Sequence, residues 1–282
     1  MVSVVIAAYN EASVIGRCLD ALRHDPPLEL VVVPNGCTDD TAAVARRHGA
    51  VVVERTAPGK TDALNAGDAV ATTFPRAYLD ADMELTADDL LRLVAALGSG
   101  VLAVAPRRVL DVRGCALPVR AYAAVHQHLP VMASSLFGRG VAVLSEEGRS
   151  RFGPFPELVA DDLFLDGLFA PHEKRVVDEV TVRVRMPRRT RELYHRLVRV
   201  RRGNREVRGR DGAAGPDASG ASAGSGGGGG SSRLAWAGVV LRRPWLAPAA
   251  VPYLALTVAA EVASRSSRRT AWRAEADRAA QG

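Results

Sequence analysis

Two carboxylates two residues apart, Asp80 and Asp82, directly follow an apolar run that ends at Leu79. Hard oxygen ligands so arranged suit Mg²⁺ or Mn²⁺, which take one or two carboxylates together with phosphate oxygens. A metal held there neutralises a diphosphate and stabilises it as a leaving group. A solvated turn with a helix-capping aspartate is the plainer reading of the same three residues. A second acidic pair, Asp161-Asp162, opens a helical pattern flanked by Leu158, Val159, Leu163 and Phe164. A carboxylate in an apolar setting beside another can be raised into the range of a general base. The helix dipole alone would also favour the pair, and spacing leaves both readings open.

Three further groups could serve the same chemistry. Tyr9 and Glu11 follow the first apolar run, where Tyr9 could stack on a base and Glu11 could accept from a base or ribose, or cap the next helix. The turn Ala7-Ala8-Tyr9-Asn10-Glu11 has no glycine, which counts against the G-x-G-x-x-G turn of nicotinamide and flavin enzymes. Pro58-Gly59-Lys60-Thr61 resembles the end of a phosphate-binding loop, but the first glycine of that loop would fall on Glu54. A nucleoside triphosphatase is therefore excluded, while Lys60 remains a usable charge for a nucleotide. Arg188, Arg189, Arg191, Arg196, Arg199, Arg201 and Arg202 crowd one helical stretch. With only Tyr194 among them, single-stranded nucleic acid is not indicated; a solvated face, a diphosphate or anionic lipid fits. His126 and His128 read as ordinary residues, and His172 as a residue able to approach the metal.

The elements that must position these groups are legible from apolar runs. Residues 2–8, 28–33, 50–53, 76–79 and 101–105 have strand character, and helical patterns follow at about 13–24, 38–47, 60–71 and 86–97. Thr38 or Asp39 is placed to cap the second helix and Thr86 the fourth. Alternation of this kind gives a parallel sheet covered on both faces. Ligands then bind where the carboxyl ends of the strands share an edge, which gathers the polar clusters into one crevice. After residue 105 the regularity breaks: a helix at 120–128, a strand at 137–144 that could be antiparallel, a helix at 158–169, one or two strands at 176–184 and the basic helix at 190–202. This half reads as a lid and acceptor region on the same sheet, in a domain spanning 1–208.

Residues 209–232 hold ten glycines among 24 residues and predict a disordered linker. A tail at 233–282 follows, apolar over 234–262 but interrupted by Arg242, Arg243 and three prolines. It reads as an interfacial or shallowly inserted helix in preference to a single membrane span, with packing back on the domain as the plain alternative. The net charge of +6 comes almost wholly from arginine, since Lys60 and Lys174 are the only lysines. Cys18, Cys37 and Cys115 lack metal-ligand spacing, which predicts reduced thiols in apolar packing on a cytoplasmic face. The amino terminus lacks a basic n-region and reads directly as strand, not signal peptide.

Taken together the clusters resemble the GT-A nucleotide-sugar glycosyltransferases of family 2. Residues 4–11 (VVIAAYNE) resemble the opening strand and P-x-Y-N-E turn, with Ala8 for proline. Residues 35–41 (NGCTDDT) resemble D-G-S-T-D-x-T, residues 59–67 (GKTDALNAG) resemble G-K-x-x-A-L-N-x-G, Asp80-Ala81-Asp82 resembles D-x-D, and Asp161-Asp162 resembles the E-D motif. The likeness covers about 2–205. It implies an α/β, GT-A (Rossmann-like), mostly parallel sheet flanked by helices with a C-terminal helical extension. It also implies inverting transfer from a nucleotide-diphosphate sugar to an acceptor hydroxyl, with Mg²⁺ or Mn²⁺ as cofactor. By resemblance Asp162 is the base with Asp161 beside it, and Asp82 holds the metal with Asp80, which also contacts ribose or metal-bound water. Ala8, Tyr9, Glu11, Asn35, Lys60 and Arg199 would line the nucleotide. Asn35 stands where the family has an acid, and Arg196-x-x-Arg199-Val200 departs from Q-x-x-R-W, which argues against a processive synthase. Sugar nucleotidyl transfer and a silent nucleotide-sugar binding module at the membrane are the competing readings. The basic helix and tail suggest a peripheral position at the membrane and a lipid-linked or cell-envelope acceptor.

Overall fold

The computed structural model describes residues 1–157, 161–211 and 235–266. Its centre is a seven-stranded sheet of β1 (Ser3–Ala8), β2 (Glu29–Pro34), β3 (Val51–Val52), β4 (Arg76–Asp80), β5 (Ala103–Asp111), β6 (Val141–Leu144) and β7 (Lys174–Arg185). The strand order is β3-β2-β1-β4-β6-β5-β7. The first four strands pair in parallel. β6 enters antiparallel between β4 and β5, and β5 pairs with β7 in parallel. Val4, Val5 and Ile6 of β1 and Val31 to Val33 of β2 have no exposed surface, as continuous apolar runs require when helices cover both faces.

The crossovers are α1 (Ile15–Ala21), α2 (Thr41–Arg47), α3 (Lys60–Val70) and α4 (Ala87–Ala95). Thr86 caps α4 as expected, its hydroxyl accepting from the Asp89 amide at 3.2 Å. The cap of α2 differs: Asp40 takes the N-cap position without a side-chain bond. Asp39 instead accepts from the Thr41 amide and hydroxyl and from the Ala12 amide, so it ties the first loop to the second. α3 lies close on the sheet, since a Cβ at Gly67 would meet Val5 Cγ1 at 2.4 Å. Its far end is pinned by Asp68, which bonds the Arg76 guanidinium at 2.7 Å, the Tyr78 hydroxyl at 2.9 Å and the Arg149 Nε at 2.5 Å.

Beyond β4 the sheet departs from the expected boundaries. β5 runs to Asp111 instead of ending at 105, because pairing with β7 resumes after an irregularity at Pro106/Arg107. β6 is short, with Gly138 and Gly140 at positive φ leading into it. The expected strands at 176–184 are the single strand β7. Around them stand α5 (Leu117–His126), α6 (Val131–Ser134), α7 (Glu146–Ser150), α8 (Asp161–Gly167) and α9 (Thr190–Asp211). The basic helix α9 therefore continues past 202 and through the expected boundary at 208; residues 212–232 of the expected linker lie outside the described residues.

The tail forms α10 (Ala235–Arg242), a 3₁₀ turn at Pro244–Leu246 and α11 (Ala247–Ser266). One face of α11 packs back on the domain, where Tyr253 and Ala260 share a buried cluster with Val119, Tyr122, Val125, Leu193 and Leu197. The opposite face leaves Val251, Val258 and Val262 exposed. Packing back, the alternative reading, thus holds for one side of the helix, while the other side is open.

Candidate active site

Lys60 begins α3, where the helix dipole disfavours a cation. Two carboxylates offset that cost: its ammonium donates to Asp80 Oδ1 at 2.8 Å and to Asp161 Oδ2 at 3.1 Å. One lysine thereby joins the carboxyl end of β4 to the start of α8, elements eighty residues apart in the chain. Desolvation works against its charge, but Asp161 and Asp80 outweigh it and hold the pKa well above the ordinary lysine value. Burial in turn raises Asp161, with Asp162 and Asp80 adding to the rise against the pull of Lys60.

Asp162 is fixed by the backbone. Its Oδ2 accepts from the Gly138 amide at 2.7 Å and its Oδ1 from the Leu163 amide at 2.8 Å. Each oxygen retains a further lone pair for a proton. Gly138 sits in the segment that enters β6, and Arg139 holds that segment by donating to the carbonyls of Ser135, Pro106 and Met132. Gly140 leaves room for the D-x-D loop, since a Cβ there would stand 2.6 Å from Met83 Sδ and 3.2 Å from Asp80 Oδ2. Sequence reasoning missed Arg139 and both glycines; positive φ at 138 and 140 is the signal that makes glycine necessary.

Asp82 is exposed at the mouth of the crevice. Local desolvation and then repulsion from Asp80 raise its carboxyl. Asp80 and Asp82 supply the hard oxygen donors that a Mg²⁺ or Mn²⁺ with a diphosphate requires, and their mutual repulsion is what a cation would relieve. Among the described residues no cluster of three or more His, Cys, Asp and Glu forms a self-sufficient metal site. The donor set therefore fits a metal shared with a ligand. His172 does not join it: it precedes β7, whose Lys174 lies level with Ala103, Leu144 and Arg76. That is the amino end of β4, and Asp80 is at the other.

Along β1 the loops interlock. Asn35, only 2% exposed, donates to the Ala8 and Val33 carbonyls and accepts from the Gly59 amide at 3.1 Å. Its expected place against a nucleobase is thus replaced by a positioning role: it anchors the turn before Lys60 to the end of β1. Ala8 is buried, and its carbonyl also accepts from the Cys37 thiol. Cys37 and Cys115 are half-exposed, and only Cys18 has the buried packing expected of all three. Tyr9 is half-buried at the same edge.

Glu11 is pushed up to about 7 by burial, then by Asp82, Asp39 and Asp80. Between its ordinary 4.5 and about 7 the folded chain holds a proton that the unfolded chain has released. Its contribution to stability is full below that window and falls as pH rises through it; the raised Asp82 and Asp161 act with the same sign. A Glu11→Gln variant should show a smaller drop in urea midpoint across that window than the parent. An unchanged drop would remove Glu11 as a source.

On the other flank stands α9. Arg199, the matched arginine of the degraded motif, is exposed. Arg196, at the position that departs from the motif, interacts with Asp82 and Asp80, joining Arg185 in its action on Asp82. Arg108 of β5 donates to the Gly138 carbonyl at 3.1 Å and acts on Asp162. Neither was singled out from spacing, because arginines in a basic stretch look like a solvated face. A separate cavity of about 550 Å³ lies beside Asn65, Asp68, Arg76 and Arg149, away from these carboxylates.

Comparison with known proteins agrees with this geometry. Residues 3–133 match the model of glycosyl transferase family 2. An uncharacterized glycosyltransferase of Mycobacterium tuberculosis is 43% identical over 107 residues, 38% of this chain and 48% of the relative. A 4,4'-diaponeurosporenoate glycosyltransferase of Staphylococcus aureus is 26% identical over 186 residues, 62% of this chain and 48% of the relative. The chain thus spans about half the length of these curated relatives. Among solved structures, a mannosyltransferase from Pyrobaculum calidifontis in complex with GDP-mannose and Mn²⁺ superposes with a TM-score of 0.58 at 23% identity, covering 99% of this chain and 79% of that one. Glucosyl-3-phosphoglycerate synthase from Mycobacterium tuberculosis, in complex with phosphoglyceric acid, gives 0.55 at 22% identity, covering 75% and 80%. At such identities the structures establish the fold. Over residues 3–133 the chain is thus similar to glycosyl transferase family 2, and its fold is the GT-A fold.

Proposed function

We propose that this protein is an inverting glycosyltransferase that moves a sugar from a nucleotide-diphosphate donor to an acceptor hydroxyl. The observation that carries the proposal is the bridge from Lys60 to both Asp80 and Asp161, which brings the D-x-D loop and the second acidic pair to one crevice. With Lys60 neutralising Asp161, Asp162 is the carboxylate left to take the proton from the acceptor hydroxyl. Its two backbone bonds fix the direction from which it does so. Asp82, with Asp80, would hold Mg²⁺ or Mn²⁺, which supplies charge neutralisation for the departing diphosphate. Tyr9 and Glu11 line the nucleotide side, and Arg199 steadies the leaving group from α9. The test is release of UDP or GDP from a panel of sugar nucleotides with and without Mn²⁺. Metal-stimulated release from one donor is expected; no release from any, with or without metal, would refute the reading.

The supporting site at the membrane is the open side of the tail. Leu241, Trp245, Val251, Val258 and Val262 are exposed, with Arg242 and Arg243 beside them. Pro244–Arg265 is long and apolar enough to cross a bilayer, but Tyr253 and Ala260 are buried against the domain. That favours a helix lying on the cytoplasmic surface of the membrane, near a lipid-linked or envelope acceptor. A Trp245→Glu, Val251→Glu double variant is expected to lose most of its co-sedimentation with vesicles of anionic lipid. Full retention would speak against this surface.

A further inference from the structure

In a chain whose positive charge is otherwise arginine, Lys60 and Lys174 are the only lysines, and each grips one end of α8. Lys60 pairs with Asp161 in the first turn. Lys174, the first residue of β7, donates from Nζ to Asp166 Oδ1 and to the Asp166 carbonyl, both at 2.8 Å. That carbonyl belongs to the last turn of α8, where a helix leaves acceptors unpaired and favours a cation. A compact ammonium can meet both oxygens of one residue, whereas a guanidinium presents a rigid planar fork. The pair is largely withdrawn from water, with the Lys174 and Asp166 side chains 11% and 14% exposed.

Asp166 has a second task. The oxygen that meets Lys174 also accepts from the Leu136 amide at 2.7 Å. One turn earlier Asp162 accepts from the Gly138 amide, again at 2.7 Å. Two carboxylates four residues apart on α8 thus hold two amides two residues apart on the segment that enters β6. Four helical residues advance about 6 Å, and two residues of chain reach about 7 Å at most. The fit therefore requires residues 136–138 to run nearly straight alongside α8, and a slip of the helix by one residue would break both bonds. The turn that carries Lys174 is held as well. Glu173 accepts from two nitrogens of Arg151, at 2.8 and 2.6 Å, and from the Ala170 amide at 2.9 Å. An ion pair serving stability alone does not require its oxygen to be shared with the segment that also binds Asp162.

We propose that Asp166 and Lys174 are positioning residues for the base. They set the register of α8 against residues 136–138 and so keep the Asp162 carboxylate where the attacking hydroxyl gives up its proton. Naming Asp162 the base rests on the transferase reading above; the register clamp itself does not.

Full-length Asp166→Ala, Asp166→Asn and Lys174→Met are compared with the parent in three measurements. These are UDP or GDP release from the donor found in the panel, nucleotide affinity by calorimetry, and amide hydrogen exchange by NMR. In Asp166→Ala and Lys174→Met, kcat is expected to fall at least tenfold, with donor KM and nucleotide affinity within twofold of the parent. Asp166→Asn keeps an oxygen for the Leu136 amide and should recover part of that loss. Exchange at Gly138 should quicken at least tenfold in the first two variants, while the amides of Val4, Val5 and Ile6 in β1 stay as slow as before. Faster exchange at Leu136 with Gly138 unchanged overturns the proposal, as does a parent-like kcat in Asp166→Ala or no recovery in Asp166→Asn. Equal acceleration in β1 overturns it too, since that marks lost stability alone. If Asp166→Ala does not fold, Lys174→Met decides by the same measurements. If the parent releases nucleotide from no donor, the transferase reading fails, while exchange at Gly138 still decides the clamp.

Discussion

An Asp162→Asn variant should lose about 10²–10⁴-fold in turnover, the usual contribution of a positioned base, while nucleotide binding persists. The reasoning follows from the division of labour between adjacent carboxylates. Asp161 is committed to Lys60 at 3.1 Å, whereas among the described residues the hydrogen bonds to Asp162 come from the backbone amides of Gly138 and Leu163. Asparagine nearly preserves the shape of the side chain but cannot accept a proton at neutral pH. Calorimetry with the nucleotide and a turnover assay on the same preparation separate binding from chemistry. Turnover within a few-fold of the parent would dismiss Asp162 as the base. Loss of turnover in Asp161→Asn with Asp162→Asn unaffected would transfer the role to its neighbour.

The second large effect concerns stability. Asp68 is the shared anion of Arg76 and Arg149, with side chains 6%, 6% and 16% exposed. Removing one partner from a buried ionic network costs about 3–5 kcal/mol, because the remaining charges are left desolvated. Asp68→Asn is therefore expected to lower the unfolding free energy by about that amount in urea titrations. The Tyr78 hydroxyl, at 2.9 and 3.0 Å from the two carboxylate oxygens, loses part of its partner as well. A cost below about 1 kcal/mol, the range of an exposed pair, would mean that the network is not sealed from water. The site would feel the change too, since Asp68 fixes the end of α3 opposite Lys60.

The order of strands and helices up to α4 was legible in the sequence because strands buried on both faces are unbroken apolar runs. The two acidic pairs were legible because each directly follows or opens such an element. β5 was read as too short because Arg107 and Arg108 interrupt its apolar run, while its partner β7 lies seventy residues away. Asn35 was misassigned for a similar reason: its partners are backbone atoms of Ala8 and Gly59, and no residue type announces a backbone contact. His172 was placed by proximity in sequence to Asp162, but the parallel pairing of β7 with β5 carries it to the far edge. The docking of α11 was obscured by uniform composition, for a helix apolar on most sides does not declare which side Tyr253 occupies. Arg108 and Arg196 became distinguishable from the other arginines only when neighbours from four elements could be seen around them.

The antiparallel β6 has one more implication. It separates the strands that bear the D-x-D loop from β5 and β7, and the family match ends at residue 133, just ahead of it. The two halves therefore share one sheet through the four-residue pairing of β4 with β6, and Lys60–Asp161 and Asp68–Arg149 clasp them at either end of α3. On the proposed transferase reading such a joint would let the acceptor side vary while the donor side is kept, so hybrids spliced between α4 and β5 are the natural way to exchange one specificity for another.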